Sequence, residues 1–239
     1  EESTKDPKKY FQNNVIKFQK LLENLKNYTI EKLIYASSAA VYGNGSVDKL
    51  KETYKTNPIS PYGITKLQGE KLLNYYSEKN NFQSYSLRFF NVAGANYKIN
   101  CGPWNKGYKH IYNILLRNKK FIINGTNYKT KDGTCVRDFV NVNDIANIMY
   151  KLVKKKSYVS KNTILNCGSG KGASVKEIAY AYKKKIDNNL KITSGPRRSG
   201  DPSSIIANNN RLKKIIKFTF KRSNLQNILN EYNDWKNLS

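Results

Sequence analysis

A tyrosine and a lysine stand four positions apart in the stretch SPYGITKLQGEKLL, residues 60–73. Because residues i and i+4 share a helix face, Lys66 can lie beside Tyr62 if this stretch is helical. A nearby ammonium favours the phenolate and lowers a tyrosine pKa from its usual value of about 10. Such a tyrosine can act as a general base toward a substrate hydroxyl near neutral pH. The pair alone is a weak signal, because the chain holds 18 tyrosines and 43 lysines and arginines.

Two predicted strand ends could add polar side chains to this pair. The stretches ASSAAVYG (36–43) and FFNVAG (89–94) end apolar runs and contribute a serine and an asparagine, respectively. In open parallel sheets, ligands bind outside the carboxyl ends of the strands. A tyrosine base beside a serine that holds the substrate oxygen suits hydride transfer to a cationic nicotinamide ring. The combination therefore indicates oxidation and reduction at a hydroxyl-bearing carbon.

The elements that must position these residues alternate between helix and strand. The stretch 6–28 begins with an aspartate and a proline in cap and first-turn positions and has apolar residues at helical spacing, so it predicts a helix. Residues 31–39 predict a strand, 61–80 a second helix and 83–95 a second strand. Strand, crossover helix and strand form the βαβ unit of a parallel sheet. We therefore expect an α/β protein with a partial Rossmann-type, doubly wound parallel sheet.

The pattern changes beyond about residue 96. Shorter helices and strands alternate with loops rich in glycine and proline up to residue 239, which is typical of an α+β lobe packed on a parallel sheet. We expect residues 1–95 to form the C-terminal part of the Rossmann domain and to carry the catalytic residues. Residues 96–239 are expected to form mainly a smaller C-terminal α+β substrate lobe, with some elements returning to the Rossmann sheet.

Composition argues against several classes of function. Only seven of the 43 basic residues are arginine, so the net charge of +26 indicates solvated lysine-rich helix faces rather than a nucleic-acid reader. Three widely spaced cysteines, Cys101, Cys135 and Cys167, and the single histidine His110 support neither a disulfide framework nor a metal site. No apolar run is long enough for a membrane span or a signal-peptide core. We expect a cytoplasmic protein without metal, nucleic-acid or membrane partners.

Three motifs in this order, SSAAVYG, SPYGITK and LRFFNVAGA, resemble the extended short-chain dehydrogenase/reductase family. Within that family, the chain is most similar to the nucleotide-sugar 4-epimerases. The resemblance implies a catalytic set of Ser38, Tyr62 and Lys66. It also implies NAD as the bound cofactor, with contacts from Asn14, Ser38, Tyr62, Lys66 and Phe90.

Two downstream motifs extend the resemblance. DGTCVRDFVNVNDIA (132–146) and GPRRSGDPS (195–203) are similar to the parts of these epimerases that hold the nucleotide diphosphate. Arginine pairs with phosphate oxygens as a bidentate fork, so two arginines suit a UDP anchor. The substrate-binding residues that the resemblance implies are Asn91, Asn105, Ile123, Asn124, Arg137, Phe139, Arg198 and Asp201.

The resemblance implies interconversion of UDP-glucose and UDP-galactose by inversion at C4 through a transient 4-keto sugar. Tyr62 takes the proton of the 4-hydroxyl while hydride passes to tightly bound NAD and later returns to the opposite face. Ala39 and Ala40 stand where the sister 4,6-dehydratases carry an acidic pair, which favours epimerisation over elimination. Two alternatives stay open. One is an epimerase or reductase of another nucleotide sugar, such as a UDP-N-acetylhexosamine or UDP-pentose, and the other is a non-catalytic basic binding protein on this fold.

The largest departure from the family pattern is the absence of the glycine turn that holds the NAD pyrophosphate. No G-x-x-G-x-x-G occurs in the 239 residues. The stretch NCGSGKGAS (166–174) lacks the spacing of a P-loop, and we expect it to be a structural turn. We also expect the NAD turn to lie upstream of the given residues, so that the chain as given binds NAD poorly.

Two further features follow from the resemblance. Asn141 stands where the family motif has a histidine. Members of the family often pair through two helices. We therefore expect a homodimer through the helices of residues 7–27 and 62–79.

Overall fold

The computed structural model describes residues 2–44, 49–96, 119–156, 160–198 and 201–236, together with residues 98, 111 and 115. The helices, in chain order, are α1 (Glu2–Lys5), α2 (Pro7–Phe11), α3 (Lys17–Asn24), α4 (Pro61–Asn80), α5 (Val142–Lys154), α6 (Val175–Lys185), α7 (Asn210–Ile216) and α8 (Leu225–Lys236). The strands are β1 (Lys32–Ser38), β2 (Gln83–Phe89), β3 (Asn91–Ala93), β4 (Lys120–Asn124), β5 (Val136–Asn141), β6 (Asn162–Cys167), β7 (Gly172–Ser174), β8 (Lys191–Gly195) and β9 (Ser204–Ile205). Among the residues so described, no helix is both long enough and apolar enough to cross a membrane.

The prediction of a parallel sheet is confirmed. Strands β1, β2 and β6 pair in parallel in the order β1-β2-β6, with Ser38 beside Phe89 and Phe89 beside Cys167. Strand β2 is buried along almost its whole length, as expected for a central strand that is covered on both faces. Strand β6 joins this sheet although it follows residue 96 in the chain. The division into two domains at residue 95 stays a prediction.

Helix α4 lies close to β1 and to the turn that follows β1. Ser60 caps its N-terminus by accepting a hydrogen bond from the Gly63 amide at 3.1 Å. A Cβ atom on Gly63 would lie 2.6 Å from the Ala40 carbonyl oxygen, and one on Gly69 would lie 2.1 Å from the Tyr35 hydroxyl. The two glycines therefore allow a close approach that a larger side chain would prevent.

The predicted N-terminal helix is present, but a π-helical turn divides it. Asp6 caps α2 by accepting from the Lys9 amide at 3.1 Å. The turn Gln12–Ile16 is wider than the α-helices on either side of it, and α3 follows directly. Phe18 of α3 stacks on Tyr35 of β1 with ring centroids 4.7 Å apart. Helix α3 therefore packs, together with α4, against the first sheet.

The shorter strands form two further sheets. Strand β5 pairs with β3, β7 and β9, while β4 pairs with β8. A separate apolar core lies between these strands and helices α6 and α8. Tyr182, Leu190 and Leu229 are almost completely buried in it. This mixed packing beside a parallel sheet matches the predicted fold class.

Candidate active site

Tyr62 and Lys66 lie near the start of α4 and share one helix face. The Lys66 Nζ atom lies 5.7 Å from the centroid of the Tyr62 ring and 5.2 Å from that of Tyr35. The same atom donates a hydrogen bond to the Ala36 carbonyl at 2.9 Å. Both ring distances lie within the range of cation–π attraction. The structure thus brings the pair together and adds two groups of β1 that hold the ammonium.

The surroundings of this pair are aromatic and partly shielded from water. Burial lowers the pKa of the Lys66 ammonium and raises the pKa of the Tyr35 hydroxyl. Tyr10 of α2 contacts Tyr62 edge-on, with ring centroids 6.0 Å apart and an interplanar angle of 87°. Burial also raises the pKa of Tyr10. Charges in such a partly dry site interact more strongly than they do in water.

Ser38 ends β1 at the carboxyl edge of the sheet. Its Oγ accepts a hydrogen bond from the Ala40 amide at 3.2 Å, so this bond does not use the hydroxyl proton. In the parallel register Ser38 lies beside Phe89, the residue before Phe90. Phe90 is only 6% exposed, and its amide donates to the Cys167 carbonyl at 3.2 Å. Ser38 and Phe90 therefore lie at the same sheet edge.

Asn14 is linked to this edge through α4. Its Nδ2 donates to the Thr65 hydroxyl oxygen at 3.0 Å, and the Thr65 hydroxyl donates to the Tyr62 carbonyl at 2.9 Å. Asn14 belongs to the π-helical turn Gln12–Ile16, and such turns are frequent at functional sites. The predicted cofactor residue is thus joined to the predicted base through one threonine.

A second group of predicted residues gathers around Arg137 in β5. Arg137 forms an ion pair with Asp201, and its Nη1 donates to the Val136 carbonyl at 2.8 Å. Asn124 lies against Arg198. When the Asn124 side-chain amide is oriented with its oxygen toward Arg198, Oδ1 accepts from Arg198 Nε at 3.2 Å and from Arg198 Nη2 at 3.1 Å. The Asp201 amide donates to the Arg198 carbonyl at 3.3 Å, so both arginines belong to one polar group.

Three other predicted substrate residues have different surroundings. Asn91 and Phe139 are paired across β3 and β5, and Phe139 is 5% exposed. Ile123 is 4% exposed and packs into the apolar core between the shorter strands and helices α6 and α8. Because side chains alternate along a strand, the exposed neighbour Ile122 lies on the opposite face of β4. The roles of these residues in substrate binding stay predictions.

Some residues singled out from the sequence have no described place in the candidate active site. Asn105, Cys101 and His110 lie outside the described residues. Cys135 and Cys167 are buried free thiols, and burial raises the pKa of each. Within the described ranges, no group of three or more His, Cys, Asp or Glu side chains is arranged to hold a metal ion. Neither buried thiol has the lowered pKa of a reactive cysteine.

The glycine turn of residues 166–174 binds a side chain of the protein itself. The amides of Ser169 and Gly170 donate to the buried Asp138 carboxylate at 2.8 and 2.9 Å. The Ala207 amide donates to the same carboxylate at 3.0 Å. Because an internal carboxylate occupies these amides, the interpretation of the stretch as a structural turn is confirmed.

Asn141 is a buried cross-link. Its Oδ1 accepts from the Asn143 amide at 2.8 Å and caps α5. Its Nδ2 donates to Glu231 of α8 at 2.7 Å, and the same carboxylate oxygen accepts from the Ala95 amide at 3.1 Å. Asparagine can accept and donate at once, so it serves both as a helix cap and as a link.

The stack of Arg197, the chain neighbour of Arg198, on an aromatic ring was not predicted from the sequence. Arg197 lies over the Tyr128 ring at 4.1 Å, and its Nε donates to Asn127 Oδ1 at 2.6 Å. Gly125 has φ +82°, and a Cβ there would lie 2.6 Å from both stacked side chains. The stack holds the segment after β8 against the loop after β4. The only signal in the sequence was the arginine pair of GPRRSGDPS, which does not reveal the aromatic partner.

Comparison with known proteins places these features in a family. Residues 1–168 match the model of the NAD dependent epimerase/dehydratase family. The UDP-glucose 4-epimerase of Halalkalibacterium halodurans is 33% identical over 239 residues, which cover 98% of this chain and 72% of that protein. The UDP-arabinose 4-epimerase 1 of Arabidopsis thaliana is 33% identical over 246 residues, which cover 99% of this chain and 58% of that protein.

Solved structures agree with the fold. The UDP-glucose 4-epimerase from Brucella ovis in complex with NAD has a TM-score of 0.91 and 31% identity, covering 98% of this chain and 73% of that one. The UDP-glucose 4-epimerase from Bifidobacterium longum in complex with NAD⁺ and UDP has a TM-score of 0.88 and 27% identity, covering 100% and 73%. These matches confirm the resemblance predicted from the motifs. The chain therefore belongs to the NAD dependent epimerase/dehydratase family.

Proposed function

We propose that this protein is an NAD-dependent UDP-sugar 4-epimerase that interconverts UDP-glucose and UDP-galactose. The observation that carries the proposal is the contact between Lys66 and Tyr62, with 5.7 Å between Nζ and the ring centroid, beside the strand end at Ser38. Such a group suits proton removal from a sugar hydroxyl. The substrate class is supported by the family and by the UDP-glucose 4-epimerases to which the chain is similar.

The residues at this sheet edge fit the nicotinamide end of NAD. Phe90 supplies a buried aromatic side chain there, and Ser38, Tyr62 and Lys66 supply two hydroxyls and an ammonium. Asn14 contacts the same region from the π-helical turn. The 239 residues contain no G-x-x-G-x-x-G turn for the pyrophosphate, so the fit concerns the nicotinamide end. When bound, NAD supplies the acceptor for the hydrogen at C4 of the sugar.

The chain's own residues manage the proton. Tyr62 is the general base that removes the proton of the sugar 4-hydroxyl, and Ser38 donates a hydrogen bond to the same oxygen. Lys66 places a positive charge beside Tyr62 and so favours the phenolate, which is the form of Tyr62 that accepts the proton. The sugar becomes a 4-ketone and turns in the site, and Tyr62 then returns the proton to the oxygen. Each side chain thus ends the cycle in its starting protonation state.

Arg137 and Arg198 anchor the UDP diphosphate while the sugar turns. A guanidinium that forms two hydrogen bonds holds phosphate oxygens firmly. Because the UDP part then supplies the binding energy, the sugar can turn without leaving the site. Asp201 already pairs with Arg137 and keeps its guanidinium oriented. Asn124 does the same for Arg198.

The replacement Tyr62→Phe, compared with the parent in the NAD-loaded protein, tests the proposal. We expect kcat for conversion of UDP-galactose to UDP-glucose to fall by about 10² to 10⁴, the usual contribution of a general base. Tyr75→Phe is the matched control, since Tyr75 lies on the same helix and its side chain is 57% exposed. Both variants are assayed by NMR of the two UDP-sugars. A Tyr62→Phe enzyme with the parental kcat would overturn the proposal.

A UDP-pentose is the second candidate substrate. The Arabidopsis relative that carries the name UDP-arabinose 4-epimerase aligns with almost the whole chain. Our proposal expects a higher kcat/KM for UDP-galactose than for UDP-arabinose or UDP-N-acetylgalactosamine, measured in parallel under one condition. A higher kcat/KM for UDP-arabinose would replace UDP-galactose as the substrate and leave the chemistry at C4 unchanged.

A further inference from the structure

A buried ion pair joins α4 to β2 behind the candidate active site. Arg88 Nε and Nη2 donate to the two carboxylate oxygens of Glu70 at 2.9 and 2.8 Å. The two side chains are only 3% and 5% exposed. Desolvation offsets much of the attraction in such a pair, so a buried ion pair is weak evidence for stability. Its bidentate geometry, however, fixes how the two elements lie against each other.

Ser37 extends this pair to the strand that carries Ser38. The Ser37 hydroxyl donates to Glu70 at 2.5 Å, and Ser37 is 2% exposed. Glu70 lies four residues after Lys66 and eight after Tyr62, which places it on the same face of α4. One carboxylate therefore connects the strand end at Ser38 with the helix face that carries the tyrosine and the lysine.

Tyr42 and Asn166 complete the network on the other side of Arg88. The Arg88 guanidinium lies 4.8 Å from the centroid of the Tyr42 ring. The Tyr42 hydroxyl donates to Asn166 Oδ1 on β6 at 2.7 Å. Arg88 also lies two residues before Phe90. The network thus reaches all three strands of the first sheet at the edge where the site lies.

We propose that Ser37, Glu70 and Arg88 form a positioning clamp that fixes Ser38 relative to Tyr62 and Lys66. The proposal rests on the proposed epimerase function. The three residues are positioning residues, because their side chains act on the reaction only through the elements that they join. A displacement of about 1 Å at a reacting group can cost about 10²-fold in rate. The clamp therefore acts on kcat more than on substrate binding.

Two serine replacements, one in β1 at the contact with Glu70 and one near the C-terminal end of α4, separate positioning from stability. Ser77 is also buried, and its hydroxyl donates to Asn162 at 2.6 Å near the C-terminal end of the helix. Ser37→Ala and Ser77→Ala each remove one short hydrogen bond between α4 and the sheet. We expect a similar decrease in Tm for both. Only Ser37→Ala should lower kcat, by about tenfold or more, with the KM for UDP-galactose unchanged.

The outcomes distinguish the clamp from the function on which it rests. If both serine variants keep the parental kcat, or lose it equally, the clamp is wrong. If Tyr62→Phe is fully active, the epimerase function itself fails whatever the serine variants do. Should either alanine variant not fold, Ser37→Cys and Ser77→Cys replace the pair. The thiol is a weaker donor of similar size, and the same order of kcat values is expected.

Discussion

Lys66 differs from most lysines of this basic chain in what holds it. Its ammonium is bound to the Ala36 carbonyl and faces the rings of Tyr35 and Tyr62. Spacing alone predicts the contact with Tyr62, because helix geometry fixes which residues share a face. The contact with Tyr35 was not predicted, since that ring comes from a strand packed against the helix. Local spacing therefore predicts partners within an element better than partners across elements.

The Tyr35 hydroxyl provides a test of this packing. It is buried, and it has no hydrogen-bond partner among the residues that the structure describes. Tyr35→Phe should raise the free energy of unfolding by about 1 kcal/mol, because an unpaired buried hydroxyl is costly. The matched control Tyr42→Phe should lower it by about 1 kcal/mol, since it leaves the Asn166 acceptor without the Tyr42 hydroxyl. Urea unfolding measures both. Equal effects of the two replacements would show that the packing is described wrongly.

At the scale of elements, α4 and the N-terminal helix show where sequence patterns succeed and fail. The stretch 61–80 was predicted as a helix and forms Pro61–Asn80, because Ser60 and the proline mark its start locally. The stretch 6–28 was predicted as one helix, yet it contains the π-helical turn Gln12–Ile16. That turn places Asn14 against α4. Such a contact depends on tertiary packing, which helical periodicity does not report.

Helix α8 is tied to the segment after β3 by one carboxylate. Glu231→Leu removes the acceptor of the Ala95 amide and of the Asn141 side chain. We expect the free energy of unfolding to fall by about 1–3 kcal/mol, the cost of leaving buried donors unpaired. Asn230→Leu is the control on an exposed position of the same helix. If urea unfolding gives the same midpoint for both variants, α8 is not held in this way.

At the scale of the whole molecule, the order of the motifs along the chain was the main basis for predicting the fold class and the family. The βαβ pattern predicts the parallel pairing of β1 with β2, the first two strands of the sheet β1-β2-β6. The return of β6 to that sheet and the pairing of β4 with β8 join residues far apart in the chain. The sequence predicts that some elements after residue 95 return to the Rossmann sheet, but neither hydropathy nor spacing identifies which strands pair. The same limit explains why the partners Glu70 and Arg88 were not singled out from the sequence.

The homodimer prediction also concerns the whole molecule, because it requires two copies of the chain to pair through exposed apolar side chains. Ile16, Leu21 and Tyr75 on the two helices proposed to pair are 42%, 51% and 57% exposed. Leu21→Glu should convert a dimer into a monomer, because it would bury an unpaired charge at the interface. Val153→Glu, at a side chain 55% exposed on α5, is the control that should leave the mass unchanged. Light scattering coupled to size exclusion measures the mass. A monomeric parent protein would contradict the prediction.

The central claim is that hydrogen leaves and returns to C4 of a UDP-hexose as hydride, while Tyr62 carries only the hydroxyl proton. The most direct measurement is NMR of UDP-glucose formed from UDP-galactose by the NAD-loaded protein in D₂O. Bound NAD would supply a hydride acceptor that does not exchange with solvent, so the account predicts product with ordinary hydrogen at C4. Deuterium at C4, or UDP-galactose that stays unconverted, would contradict it.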